Sequence, residues 1–392
     1  MKKTKIISLT ATALILSLCG IFFQAFSPSP TSVSAMAVSK TESAPFSLEK
    51  AQRLEYFCLF AAYPNVLEAL LAESGYENMN YAENPQTGAI GSGIALGIAR
   101  RENEILVAVR ASEGAEWYSN FHIGTGETHA GFLSAALFAQ NVLEDYISAQ
   151  SLSKKDIDIT LTGHSRGGAV ANLMAKELID SASFSQVTAY TFASPNTTRD
   201  FEANNQRYNS IYNIQNPEDF VCFIPLESWG YTKYGRIINL PEKSEKPEAY
   251  DAMEQKFKAL TGYPHIGYER GHKEIEEFTN HASSLAPTVE EAYGRVINTP
   301  MGDLTLYGYL EKIASLLSGE NPVSGGFFIL SSLQSKDLAP MTDFLIKGMC
   351  FDTPEDSFDL TKSTINSGHA FETYLSWLLV LDESYFLDKI TS

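Results

Sequence analysis

Six residues in the middle of the chain, Gly163-His164-Ser165-Arg166-Gly167-Gly168, have the types and spacing of a nucleophilic serine. They fit G-x-S-x-G, in which the serine sits on a sharp turn between a strand and a helix, its hydroxyl exposed beside the first amides of the helix. Glycines flank the serine because the turn brings two backbones close together and forces an unusual backbone angle. A serine hydroxyl is a poor nucleophile at neutral pH, so it needs a histidine to take its proton and a carboxylate to orient that histidine. An attacked carbonyl becomes an oxyanion that backbone N–H groups must stabilise; the amide of Arg166, at the start of the following helix, is one candidate. Without such partners the pattern is only a Gly-rich turn with a bystander serine.

The flanking sequence predicts the elements that this turn requires. Asp156-Ile157-Asp158-Ile159-Thr160-Leu161-Thr162 alternates polar and apolar residues and is β-branched, which predicts a strand. Ala169 to Ile179 carries an apolar stripe at Val170, Leu173, Met174 and Leu178, which predicts a helix. Adjacent strands are expected at Ile94–Ala99 and Glu104–Arg110, a helix from Gly131 to Gln150, and further strands at Ser185–Phe192 and Ser210–Ile214. Such alternation around a serine turn at mid-chain points to an α/β-hydrolase fold with a central, mostly parallel sheet. Ser47 to Ser74 predicts helix broken at Pro64. From Glu242 to Asp352 the pattern changes. Ala249–Leu260, Lys273–Ser283, Val289–Ile297 and Leu306–Leu317 predict helices between Gly- and Pro-containing breaks, a large helical insertion at about 242–352 within one domain spanning 46–392.

In a hydrolase of this architecture the chain order is serine, acid, histidine. The acid should follow a strand beyond the turn, and Asn216-Pro217-Glu218-Asp219-Phe220-Val221 offers Glu218 and Asp219 there. His265, His272, His281 and His369 lie downstream; the first three fall in the helical insertion, where a surface position is the ordinary reading. His164 precedes the serine and His129 stands at a helix start, and both read as structural.

The first 35 residues predict a secretory signal peptide or an N-terminal membrane anchor. Lys2, Lys3 and Lys5 precede an apolar run from Ile6 to Phe26, with small-residue sites at Val33-Ser34-Ala35 and Ala35-Met36-Ala37. Residues 36–45 predict a linker. Both readings of the leader put the catalytic part outside the cytoplasm. A net charge of −18 argues against nucleic acid or an anionic membrane as the main partner. Beyond the leader stand only Cys58, Cys222 and Cys350, too few for a disulfide framework. No C-x-x-C or H-E-x-x-H occurs, so neither a metal nor a cofactor is expected.

Four segments together resemble one family, the class 3 or fungal-type lipases of α/β-hydrolase fold. Val107-Ala108-Val109-Arg110-Ala111-Ser112 with Trp117 is similar to its strand ending in Arg-Gly-Thr or Arg-Gly-Ser. His129-Ala130-Gly131-Phe132, Thr162 to Ala169, and Thr191-Phe192-Ala193-Ser194-Pro195 are similar to its His-x-Gly-Phe, its serine turn and its Thr-Phe-Gly-x-Pro. A patch near 365–378, holding His369, resembles its final histidine segment. The resemblance implies a triad of Ser165, Asp219 and His369, with oxyanion donors at the amides of Arg166 and Ser112. It also implies a mobile lid in the region after Ser112, near Trp117 to Ile123. Two departures stand out: Arg166 occupies a usually aliphatic position, and Ala111 replaces a glycine. The resulting expectation is a secreted lipase without a cofactor, acting on lipid esters at a lipid–water interface. Its rivals are a phospholipase A1, a small-ester esterase or an acyltransferase on the same triad, and a catalytically idle hydrolase fold that binds a partner.

Overall fold

The computed structural model describes residues 46–85, 93–113, 116–300, 302–317, 322–349 and 363–391. The expected leader and linker lie outside them, as do Cys350 and the last part of the expected insertion. No helix among the described residues is long and apolar enough to cross a membrane.

The first helices are α1 (Leu48–Phe60), where the Ser47 side chain accepts from the Lys50 amide, and α2 (Pro64–Glu73), which starts at the predicted proline break. Then come β1 (Glu77–Asn84), β2 (Ile94–Arg101), β3 (Glu104–Val109), α3 (Glu116–Phe121) and α4 (Ala130–Ala149). The turn at Ser165 joins β4 (Asp158–His164) to α5 (Arg166–Ser181), followed by β5 (Gln186–Phe192), β6 (Ile211–Gln215) and β7 (Arg236–Asn239). These strands form one seven-stranded sheet in chain order. β1, β2 and β3 pair antiparallel, and β3 through β7 pair parallel. The central, mostly parallel sheet with helices on both faces is the α/β-hydrolase architecture.

Alternation along the strands sorts side chains between the faces. Val107, Val109, Ile159 and Leu161 join the core formed with α4 and α5. The intervening residues meet α1 instead: Lys50 Nζ donates to Thr160 at 2.8 Å, and Cys58 lies 3.3 Å from Thr162 Oγ1. Register fixes the working edge. Val109 pairs with Gly163, and Gly163 with Thr191, so the carboxyl ends of β3, β4 and β5 finish side by side. Ligands of open α/β sheets bind at that edge.

The later chain folds as α6 (Pro247–Thr261), α7 (Lys273–Leu285), α8 (Val289–Gly294), a hairpin of β8 (Val296–Thr299) and β9 (Gly302–Thr305), α9 (Leu306–Leu317), α10 (Pro322–Gln334) and α11 (Ala339–Met349). Then follow α12 (Thr364–His369), α13 (Phe371–Val380) and α14 (Glu383–Thr391). One expectation is corrected here. The helix predicted through Ile297 stops at Gly294, because Val296 and Ile297 pair across the hairpin with Thr305 and Leu304, where β-branched residues fit. Helices α7 to α11 contribute a second apolar core that reaches Ile123 and Phe220 beside the sheet edge.

Candidate active site

Ser165 adopts φ 57° and ψ −126°, a strained backbone for a residue with a side chain. Its amide donates to Phe192 O at 2.9 Å, tying the turn to β5. A Cβ on Gly163 would stand 2.2 Å from the Gly167 backbone, and one on Gly167 would stand 2.4 Å from Val109 O. The two glycines therefore let α5 leave the sheet at once and turn Ser165 outward.

His369 closes the distance to that serine. Its Nε2 lies 2.8 Å from Ser165 Oγ, and its Nδ1 lies 3.0 and 2.9 Å from Asp219 Oδ1 and Oδ2. Asp219 follows β6 and is fully buried. Its carboxylate also accepts from the Val221 amide at 3.0 Å and from the Tyr374 hydroxyl at 2.7 Å. That hydroxyl in turn accepts from the Asn216 amide at 3.0 Å. Asn216 Nδ2 donates to Gly368 O at 3.1 Å, so the loop of the histidine is bonded to the loop of the acid. Glu218 turns away and accepts from the Tyr250 hydroxyl at 2.8 Å; burial pushes it up to about 7, with Glu242 and Glu254 adding to the rise and Tyr250 opposing it.

Behind His369 lies a pair that the sequence did not reveal. His164 sits 2.8 Å from Glu55 Oε1 of α1 through Nδ1, and 2.8 Å from the backbone oxygen of His369 through Nε2. Burial pushes His164 well down, and the nearby His369 does so further. Burial pushes Glu55 well up, with Glu372 adding to it. The carbonyl oxygen of His369 can only accept, so Nε2 carries a proton to it, and Nδ1 and Glu55 Oε1 share a hydrogen bond on the other side of the ring. Phe371 stacks on His164 at 4.0 Å between centroids.

Ser112 and Arg166 meet through Asn120 of α3. Asn120 Nδ2 donates to Ser112 Oγ at 2.7 Å, and Arg166 Nη1 donates to Asn120 Oδ1 at 2.8 Å. Arg166 also donates to Gly93 O from Nε at 3.1 Å and Nη2 at 2.8 Å. The guanidinium is 1% exposed, and burial pushes it down to about 10 while Glu116 resists the fall. Helix α3 is wedged in place. Arg110 donates to the buried Glu116 at 2.8 Å, His129 Nε2 donates to Asn120 O at 3.0 Å, and Gly131 packs on the Ser119 backbone. From the insertion, Tyr293 accepts from the Gly124 amide at 2.8 Å, and Tyr307 lies 3.3 Å from His122 Nδ1. The stretch expected as a lid is thus held between the serine turn and the insertion; residues 114 and 115 lie outside the described residues.

The other histidines do different work. His129 caps α4 by accepting from the Phe132 amide, as a structural residue would. His272 and His281 bond the backbone oxygens of Pro217 and Asp337 at 2.8 and 2.7 Å. The surface expectation fails for His265, which is 8% exposed and packs edge-on against Tyr250 and Phe257. Burial pushes it down to about 4.

Ser112, Ser165, Arg166 and His369 line a largely apolar cavity of about 300 Å³. The insertion supplies much of its wall, through Phe278 of α7, Leu310 and Ile313 of α9, and Met341 and Leu345 of α11. A serine hydroxyl bonded to an imidazole in the wall of an apolar chamber is an arrangement that can attack a carbonyl carrying a hydrocarbon tail. Among the described residues, no group of three or more His, Cys, Asp or Glu side chains is set to hold a metal.

Residues 103–229 match the family described as lipase (class 3). A secreted mono- and diacylglycerol lipase of Fusarium solani is 32% identical over 154 residues, 36% of this chain and 45% of that protein. A second, from Gibberella zeae, is 27% identical over 135 residues, 31% of this chain and 33% of that protein. The chain spans less than half the length of these curated relatives. The triacylglyceride lipase of Rhizomucor miehei is a structural neighbour at 20% identity, covering 51% of this chain and 83% of that one with a TM-score of 0.39.

Proposed function

We propose that this chain, a member of the class 3 lipases through its residues 103–229, is a secreted serine hydrolase that cleaves carboxylic esters of lipids. Ser165 Oγ attacks the ester carbonyl while His369 Nε2 takes its proton, and Asp219 orients the imidazole. The oxyanion is held by the amide of Arg166 and by Ser112. As the intermediate collapses, the carbonyl–alkoxy bond breaks and His369 returns the proton to the leaving alcohol. Water, deprotonated by His369, then attacks the acyl-serine and releases the fatty acid and the free hydroxyl. No cofactor enters the reaction.

The observation that carries this reading is Ser165 Oγ lying 2.8 Å from His369 Nε2 in the wall of an apolar chamber. The apolar lining of that chamber suits the hydrocarbon tail of an acyl group whose carbonyl stands at Ser165. The names of the two secreted relatives favour mono- and diacylglycerols as substrates. Export through cleavage of residues 1–35 fits those names as well.

A fluorophosphonate probe tests the nucleophile: it labels the wild-type protein and fails to label Ser165→Ala. A panel of mono-, di- and triacylglycerols, a phospholipid and p-nitrophenyl esters, with and without a lipid–water interface, tests the substrate class. Full labelling of Ser165→Ala, or no labelling of the wild type, overturns the reading. Preference for phospholipid or for short esters moves it to a phospholipase A1 or an esterase.

A further inference from the structure

We infer that Arg166 is a positioning residue for the oxyanion site, acting through Asn120 to leave the Ser112 hydroxyl proton available to the oxyanion; the inference rests on the serine hydrolase reading above.

A carboxamide presents an acceptor on one side and a donor on the other, and its two orientations differ little in shape. The partners on the two sides therefore decide which way it faces. A guanidinium has donors only, so the group facing Arg166 Nη1 at 2.8 Å must be the oxygen of Asn120. The amino group is then left facing Ser112 Oγ at 2.7 Å, and an amino group can only donate. Ser112 Oγ consequently accepts from Asn120, and its single proton points elsewhere. The chamber that Ser112 lines is the one that holds Ser165 and His369.

An aliphatic residue at position 166 would remove this constraint. Asn120 would then be free to turn its oxygen toward Ser112, accept the hydroxyl proton and draw it away from the oxyanion. The two bonds from Arg166 to Gly93 O fix the guanidinium against the start of β2, so it is aimed before substrate arrives. A donor aimed in advance needs no reorganisation at the moment of reaction. His129, at the start of α4, fixes the backbone that carries Asn120 by donating to its carbonyl oxygen at 3.0 Å. Residue 166 thus serves the oxyanion twice: its amide donates directly, and its side chain sets the proton of the second donor.

The test is a double-mutant cycle on a soluble p-nitrophenyl ester, with kcat and KM measured separately. Removing a single oxyanion donor lowers kcat by about 10²–10³-fold. Arg166→Leu is expected to lower kcat roughly ten- to a hundredfold, part of that loss, with KM changed less than about threefold. In a Ser112→Ala background, where the hydroxyl is already gone, the same change should lower kcat by less than about threefold. Asn120→Ala cuts the link while keeping the arginine; it leaves the Ser112 hydroxyl unaimed without offering it an acceptor, so kcat should fall by less than in Arg166→Leu, with the same lack of additivity. Equal losses from Arg166→Leu with and without the Ser112 hydroxyl would assign the arginine a purely structural role and overturn the inference, as would an unchanged kcat in Arg166→Leu or Asn120→Ala. If Arg166→Leu does not fold, the Asn120→Ala pair decides. Fluorophosphonate labelling of each variant at Ser165 separates these outcomes from a failure of the serine hydrolase reading, which would abolish labelling in the wild type too.

Discussion

The carboxyl edge of the sheet and the helical region beside it are both buried, yet they are held together by different means. At the sheet edge the ties are polar and specific. Asn172 donates to Asn213 Oδ1 and Tyr234 O and accepts from Thr197, while Thr191 donates to Asn213. The fully buried Lys233 donates to Asn196 Oδ1, Gln215 Oε1 and Cys222 O at 2.9, 3.0 and 2.9 Å. These bonds join the ends of β5 and β6 to the turn that carries Asp219. The helical region is an apolar cluster built around Phe278, Tyr309, Met341 and Leu345. Hydrogen bonds fix direction as well as distance, whereas apolar packing chiefly fixes volume. The sheet edge therefore has little room for substitution, and the insertion can change the chamber's size without disturbing the reacting groups.

The largest effects fall on the proposed triad. Ser165→Ala and His369→Ala are each expected to lower kcat by about 10⁶-fold, and Asp219→Asn by about 10⁴-fold, without a comparable change in unfolding midpoint. Next comes the polar edge. Lys233→Met leaves three buried acceptors without a donor and should destabilise the protein by about 3–5 kcal/mol in urea unfolding, with kcat reduced because the Asp219 turn loosens. In the insertion, Ile313→Ala removes part of the chamber wall and should reduce stability by about 2–4 kcal/mol. Its kcat on short esters should stay within about threefold of wild type, while the preferred acyl chain lengthens. A comparable loss of kcat in Ile313→Ala and Lys233→Met would erase the distinction between the two regions.

The gentlest probe is pH, because two buried groups pull in opposite directions. His265 has a folded value of about 4, below that of a free histidine, so the unfolded chain binds the proton first. Its contribution is complete above the unfolded value and is lost as pH falls toward 4. Glu218, raised to about 7, holds its proton longer in the folded protein. Its contribution is complete below the ordinary carboxyl value and is lost as pH rises through 7. At 1.36 kcal/mol per unit, each effect reaches at most about 3 kcal/mol. His265→Phe should flatten the acid side of the stability profile, and Glu218→Gln the side from pH 4.5 to 7. Unchanged slopes in both variants would remove these groups from the pH response.

What was legible in the sequence was what the backbone demands locally. The glycines around Ser165, the alternation of β4 and the apolar stripe of α5 are signatures of a turn, a strand and a helix, each contained within a few residues. Asp219 was singled out by chain order and resemblance, and the structure puts it in hydrogen-bond reach of His369, whose other ring nitrogen reaches Ser165. The supporting residues carried no such mark. Glu55 lies 109 residues from His164, Asn120 lies 46 from Arg166, and Tyr374 lies 155 from Asp219. Polar residues that meet only in the folded chain leave no periodicity to read. β1 was also missed, because its ENMNYAEN sequence has no apolar alternation. His265 illustrates the reverse problem: a histidine in a polar-looking stretch was covered by aromatic side chains from elsewhere.

The bond from Ser165 to His369 spans 204 residues, and the bond from His164 to the His369 carbonyl spans 205. Contacts that far apart form late, since closing a long loop must precede any gain from the contact. During synthesis Ser165 is made long before His369, and the His369 carbonyl is bonded to a pair whose acid comes from α1, near the opposite end of the domain. Until residue 369 is made, Ser165 has no imidazole beside it. The hydrolytic activity proposed here would switch on only when the domain has closed on itself.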